Sequence, residues 1–79
     1  MTNLERYKKI FARTLEINEE QLTGLTYQSV PAWDSVGHMM LISSLEHAFD
    51  IVLDTADVIE FNSFERGIEL LKKYGVQFN

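Results

Sequence analysis

The 79-residue chain is predicted to be all-α, a four-helix bundle with three long helices, a short third one, and a long loop between the first two. Three observations predict it. Apolar residues recur at spacings of three and four in three separate segments, the signature of amphipathic helices. No segment alternates with the period of two that a half-buried strand requires. Helix-capping residues stand where those segments begin, and Gly24, Pro31 and Gly75 fall outside them.

Thr2-Asn3-Leu4-Glu5 has the spacing of a capping box, which satisfies two free amides at a helix start. Leu4, Tyr7, Ile10, Phe11 and Leu15 then share one arc, with Arg6, Lys9 and Arg13 opposite. The expected helix makes about four turns and ends near Asn18. Residues 18–33 keep no period. Asn18-Glu19-Glu20-Gln21 is placed to form a single helical turn, and Leu22, Leu25, Tyr27 and Val30 are placed to pin the loop onto the bundle. A loop of this length in so small a domain is often functional.

Asp34 or Ser35 opens the second helix, which runs to about Phe49. Asp54, with Asp57 three residues on, starts a short third helix. Asn62-Ser63-Phe64-Glu65 repeats the capping-box spacing, with Asn62 as the expected cap. Phe64, Ile68, Leu71 and Tyr74 form the inward stripe of the last helix, and Gly75 stands at its C-terminal stop. Gly67 lies inside that stripe at a cost of about 1 kcal/mol against Ala, which close approach of a neighbouring helix would explain. Residues 1–79 form one expected domain.

Composition narrows the function. The chain has no Cys, which excludes disulfides and thiolate chemistry of its own. No apolar run approaches the ~20 residues of a membrane span. A cytoplasmic protein with no membrane partner is expected. Of the net charge of −5, residues 1–13 contribute +3 and residues 66–79 contribute +2, while residues 14–65 hold ten acids and no Lys or Arg. Phosphate backbones need clustered cations, so nucleic acid is not an expected partner. No metal-ligand spacing, Gly-rich phosphate loop or nucleophile with a base beside it is legible, which argues against an enzyme.

The second helix shows two faces. Leu41, Ile42, Leu45, Ala48 and Phe49 cluster on one arc, the expected core. Val36, Met40, Ser43 and His47 cluster opposite, with Met39 at the border. A helix that only packs on a bundle needs one apolar stripe, so the second is a docking face, a set of the isolated exposed apolar residues that surfaces normally carry, or a face covered by a loop. His38 falls on the core side, under the Pro31–Trp33 segment, and Trp33 itself is expected to cover the bundle. Ser35 stands where the second face meets the positive end of the helix dipole, a place that favours an attached anionic group but also suits a plain cap.

Trp33-Asp34-Ser35-Val36-Gly37-His38-Met39-Met40-Leu41-Ile42, followed by Leu45-Glu46-His47-Ala48-Phe49-Asp50-Ile51, resembles the acyl carrier protein family. The resemblance extends along the whole chain. It implies that Ser35 carries 4′-phosphopantetheine, that Asp34 supports recognition by the phosphopantetheinyl transferase, and that the fold is the acyl-carrier four-helix bundle. It further implies a carrier with no chemistry of its own. Its arm holds acyl or aminoacyl groups as thioesters, loaded by a ligase or transferase and delivered to downstream biosynthetic enzymes. Val36, Met39 and Met40 would form the apolar part of the docking face, with His47 beside them and Glu46, Asp54, Asp57 and Glu60 as an acidic rim. Carriers of fatty-acid synthesis commonly have acids where Gly37 and Met40 stand, so the resemblance points to a dedicated stand-alone carrier of a specialised pathway, acting as a monomer. An unmodified helical interaction module is the alternative.

Overall fold

The computed structural model describes residues 1–78, which form four α-helices and no strands among the described residues. Helix α1 spans Asn3–Leu15 and is opened by the expected capping box, in which the Glu5 amide donates to Thr2 Oγ1 at 3.1 Å and the Thr2 amide to Glu5 Oε1 at 2.8 Å. It stops earlier than Asn18. Glu16 takes the left-handed conformation at φ 56°, and its amide donates back to the Ala12 carbonyl, which closes the last turn. Asn18 instead begins the single 3-10 turn Glu19–Gln21.

Helix α2 spans Ser35–Phe49, α3 spans Thr55–Glu60 and α4 spans Phe64–Lys73. The cap of α4 is Ser63, not Asn62: its hydroxyl accepts from the Arg66 amide at 2.9 Å. Asn62 is used otherwise. Its carbonyl accepts from the Tyr27 amide at 2.9 Å, while the Leu25 carbonyl accepts from the Phe64 amide at 2.9 Å, an isolated antiparallel bridge that ties the long loop to the start of α4. Leu22 and Leu25 are buried and Tyr27 and Val30 half-buried, so the loop is anchored by the side chains expected to anchor it.

The core is one cluster. Tyr7, Phe11 and Leu15 of α1 meet Leu41, Ile42 and Leu45 of α2 and Phe64, Leu70 and Leu71 of α4, with Phe61 and Trp33 both packed on Phe11. Burial pushes the Tyr7 phenol far above its ordinary pKa, and its hydroxyl donates to the Phe64 carbonyl at 2.7 Å. Gly67 faces that hydroxyl and the Phe61 ring, both of which occupy the space a Cβ would need. The close approach inferred for Gly67 is therefore real, although it is made by two aromatic side chains.

Helix α3 is attached differently from the others. Asp57 is its one buried side chain and Val58 its half-buried apolar contact, so polar bonds hold it more than apolar burial does. Segments with little buried apolar surface open at low free energy. The amides of residues 55–60 are expected to exchange with deuterium at least about tenfold faster than those in the middle of α1 and α2. Protection equal to α1 would contradict this account of α3. No helix of the described residues is long and apolar enough to cross a membrane.

Candidate functional site

Ser35 is the first residue of α2 and is exposed. The capping bond at this helix start belongs to Asp34, whose Oδ1 accepts from the Gly37 amide at 2.8 Å. The Asp34 carbonyl accepts from the His38 amide at 2.8 Å. These two bonds leave the amides of Ser35 and Val36 without an intrahelical partner, at the positive end of the helix dipole. Ser35 is thus not needed as the cap.

Gly37 has a steric cause. The carbonyl oxygen of Ala32 lies where its Cβ would be, so any side chain there collides with the backbone of the loop. An acid cannot occupy this position without moving the Pro31–Trp33 segment. The glycine at this position is therefore explained by packing.

Beneath the same loop, Trp33 is fully buried and packs edge-on against Phe11, with ring centroids 5.5 Å apart. Its indole Nε1–H donates to His38 Nδ1 at 3.0 Å. Because an indole nitrogen only donates, Nδ1 must accept, which places the proton of the neutral imidazole on Nε2. Nε2 lies 2.8 Å from the Val58 carbonyl and donates to it. His38 thereby satisfies one of the free carbonyls at the end of α3 and joins that helix to α2. Its expected place under the loop and the covering role of Trp33 both hold.

An apolar cleft of about 340 Å³ opens beside Ser35, lined by Tyr27, His38, Met39, Val58, Ile59 and Phe61 among others. A second, shallower groove runs along α2 over Val36, Met39, Met40, Ser43 and Ser44, and the two meet at Ser35 and Met39. Val36 is 67% exposed, and Met39 and Met40 are each 57% exposed, so no loop covers the second face of α2. His47 is exposed at the far end of the same helix. Ile59, 74% exposed on α3, extends this face across the cleft and was not legible beforehand, because its neighbourhood depends on how α3 folds back over α2.

Of the four acids expected at the rim, Asp57 is buried, while Asp54 and Glu60 are exposed and Glu46 is half-buried. Asp57 turns inward: Tyr74 Oη donates to its Oδ2 at 2.5 Å and Lys73 Nζ to its Oδ1 at 2.9 Å. It is 6% exposed and belongs to the attachment of α3 to α4, not to a rim. Glu46 accepts from the Leu53 amide at 2.8 Å, and Glu60 pairs with Arg66 at 2.6 Å. Only Asp54 among the four leaves its carboxylate outside the cap and ion-pair network, although its amide donates to Tyr74 Oη at 2.9 Å.

The hydrogen bond from Tyr74, and after it the bond from Lys73, hold the Asp57 carboxyl below its ordinary value of 3.8. A carboxylate whose folded pKa is depressed stabilises the fold above its unfolded pKa and loses that contribution as pH falls through the folded value. The melting temperature of the protein is expected to exceed that of Asp57→Asn by a constant margin above about pH 5, narrowing below about pH 4. A margin that stays constant down to about pH 2 would show that the ionised carboxylate is not what Tyr74 and Lys73 hold.

No protein-family model matches the chain, and no curated protein matches it as a relative.

Proposed function

We propose that this protein is an acyl carrier, bearing 4′-phosphopantetheine on the Ser35 hydroxyl and passing acyl or aminoacyl thioesters between enzymes of a specialised biosynthetic pathway. The observation that carries the proposal is the division of labour at the start of α2. Asp34 makes the cap, which leaves the adjacent Ser35 exposed beside two free amides and at the junction of two apolar grooves. The Asp34-Ser35-Val36 sequence, with Leu45, Glu46 and Phe49 at carrier spacing, supports the same reading. So does the order of long, long, short and long helices, read here as the acyl-carrier bundle.

The residues present suit the group. A phosphodiester on Ser35 would meet the Ser35 and Val36 amides and the positive helix end, where anions are favoured. The arm would supply a thiol, which the chain itself lacks, and so the means of holding a thioester. The protein's own part is position and recognition: Asp34 fixes the helix start, the cleft beside Met39 and Ile59 offers apolar cover, and α2 presents the surface that partners meet. Those partners are a phosphopantetheinyl transferase, a loading ligase or acyltransferase, and downstream enzymes. Action as a monomer in the cytoplasm fits a freely shuttling carrier.

The absence of Cys makes the test simple. Protein co-produced with a broad-specificity phosphopantetheinyl transferase is expected to titrate one thiol per chain, and Ser35→Ala none. No thiol on the folded protein, with a known carrier modified in parallel, would favour the unmodified interaction module.

A further inference from the structure

We propose, resting on the carrier reading above, that the enzyme which modifies Ser35 grips this protein through an uncharged apolar surface, and that acids play little part in the recognition. From Ser35 to Leu45, α2 contains no Asp, Glu, Lys or Arg. Its outward residues over that stretch are Ser35, Val36, Met39, Met40, Ser43 and Ser44, all exposed. The one ionisable group in the stretch, His38, is committed to Trp33 and the Val58 carbonyl. Across the cleft, Ile59 continues the apolar surface to α3.

Of the acids expected beside this face, Asp54 leaves its carboxylate unbonded, and the others are engaged elsewhere. Asp57 is buried on Tyr74 and Lys73, Glu60 is paired with Arg66, Glu46 binds the Leu53 amide, and Asp34 caps α2. A partner that set Lys or Arg against Val36, Met39 and Met40 would bury those cations without counter-charges, which is costly. Charge complementarity therefore selects a partner surface that is itself uncharged and apolar, with Ser43 and Ser44 offering hydroxyls at its edge. Exposed methionines suit such contacts because their side chains adapt to the surface they meet. A second copy seated on this face would cover Ser35, which lies where the two grooves meet, so the occupant argued for is the enzyme that must reach that hydroxyl.

The test uses the unmodified full chain as substrate for a broad-specificity phosphopantetheinyl transferase, with KM measured against salt. Between about 0.05 and 0.5 M NaCl, KM is expected to change by less than about threefold, because screening acts on exposed charges and not on apolar contact. Met40→Ser and Met39→Ser are each expected to raise KM about tenfold with circular dichroism unchanged, whereas Val52→Ser, on an apolar residue outside both grooves, is not. A steep rise of KM with salt, or a Glu60→Gln effect as large as that of Met40→Ser, would overturn the apolar mode while leaving the carrier reading intact. Dimerisation of the wild-type chain that Met40→Ser abolishes would also overturn it, by making a second copy the occupant. No modification of the wild type at any salt would overturn both.

Discussion

Gly37→Ala is expected to destabilise the protein by about 1–3 kcal/mol, although helix propensity alone predicts a gain. Alanine is favoured over glycine inside a helix by up to about 1 kcal/mol, and Gly37 lies within α2. The added methyl, however, falls on the carbonyl oxygen of Ala32, a backbone atom that moves only if the Pro31–Trp33 segment moves. Shifting that segment lifts Trp33 from Phe11 and disturbs the Asp34 cap. The sign of the change therefore separates the two effects. A lower denaturation midpoint with an unchanged denaturant slope supports steric control, and a higher midpoint would show that the loop yields freely.

Trp33→Ala is expected to cost about 3–5 kcal/mol, the range for deleting a large buried aromatic side chain. Small domains hold only about 5–15 kcal/mol in total, so this single change removes much of the stability. Trp33 is fully buried among Phe11, Tyr27 and His38, and it meets the imidazole edge to edge, the two rings nearly coplanar with centroids 6.2 Å apart. Its loss leaves a cavity and strips His38 Nδ1 of its donor. Trp33→Phe refills much of the volume but restores no donor, so it is expected to fall between the two. If Trp33→Phe were as unstable as Trp33→Ala, the hydrogen bond to His38 would outweigh the packing.

The helices were legible because their signals are local. Thr2 and Glu5 announce the start of α1, and the spacing of Leu41, Ile42 and Leu45 announces the buried face of α2. The outer face was legible for the same reason: Val36, Met39 and Met40 could not share the arc that Leu41 and Leu45 occupy. What sequence spacing does not carry is contact between elements. Asp57 lay on a short acidic helix and looked like a surface charge; its burial depends on Lys73 and Tyr74, which reach it from the end of α4. Ser63 displaced Asn62 as a cap because the Asn62 carbonyl had been taken up by Tyr27 across the loop. Gly37 looked like the absence of an acid and proved to be room for a carbonyl.

The same distinction holds at the site. The motif around Ser35 contains local information and names a residue. The shape and charge of the surface around it come from α3 folding back over α2, with His38 and Val58 as the polar link and Met39 and Ile59 lining one cleft. On the carrier reading, that surface would bear on partner choice and the motif on modification.

The most direct measurement of the carrier reading is intact-protein mass spectrometry with fragment localisation, after incubation with coenzyme A, magnesium and a broad-specificity phosphopantetheinyl transferase. The account predicts a single phosphopantetheinyl group per chain, placed on Ser35 by the fragments and absent from Ser35→Ala. An unmodified mass on folded protein, with a known carrier converted in the same reaction, or a group placed on any other serine, would contradict it.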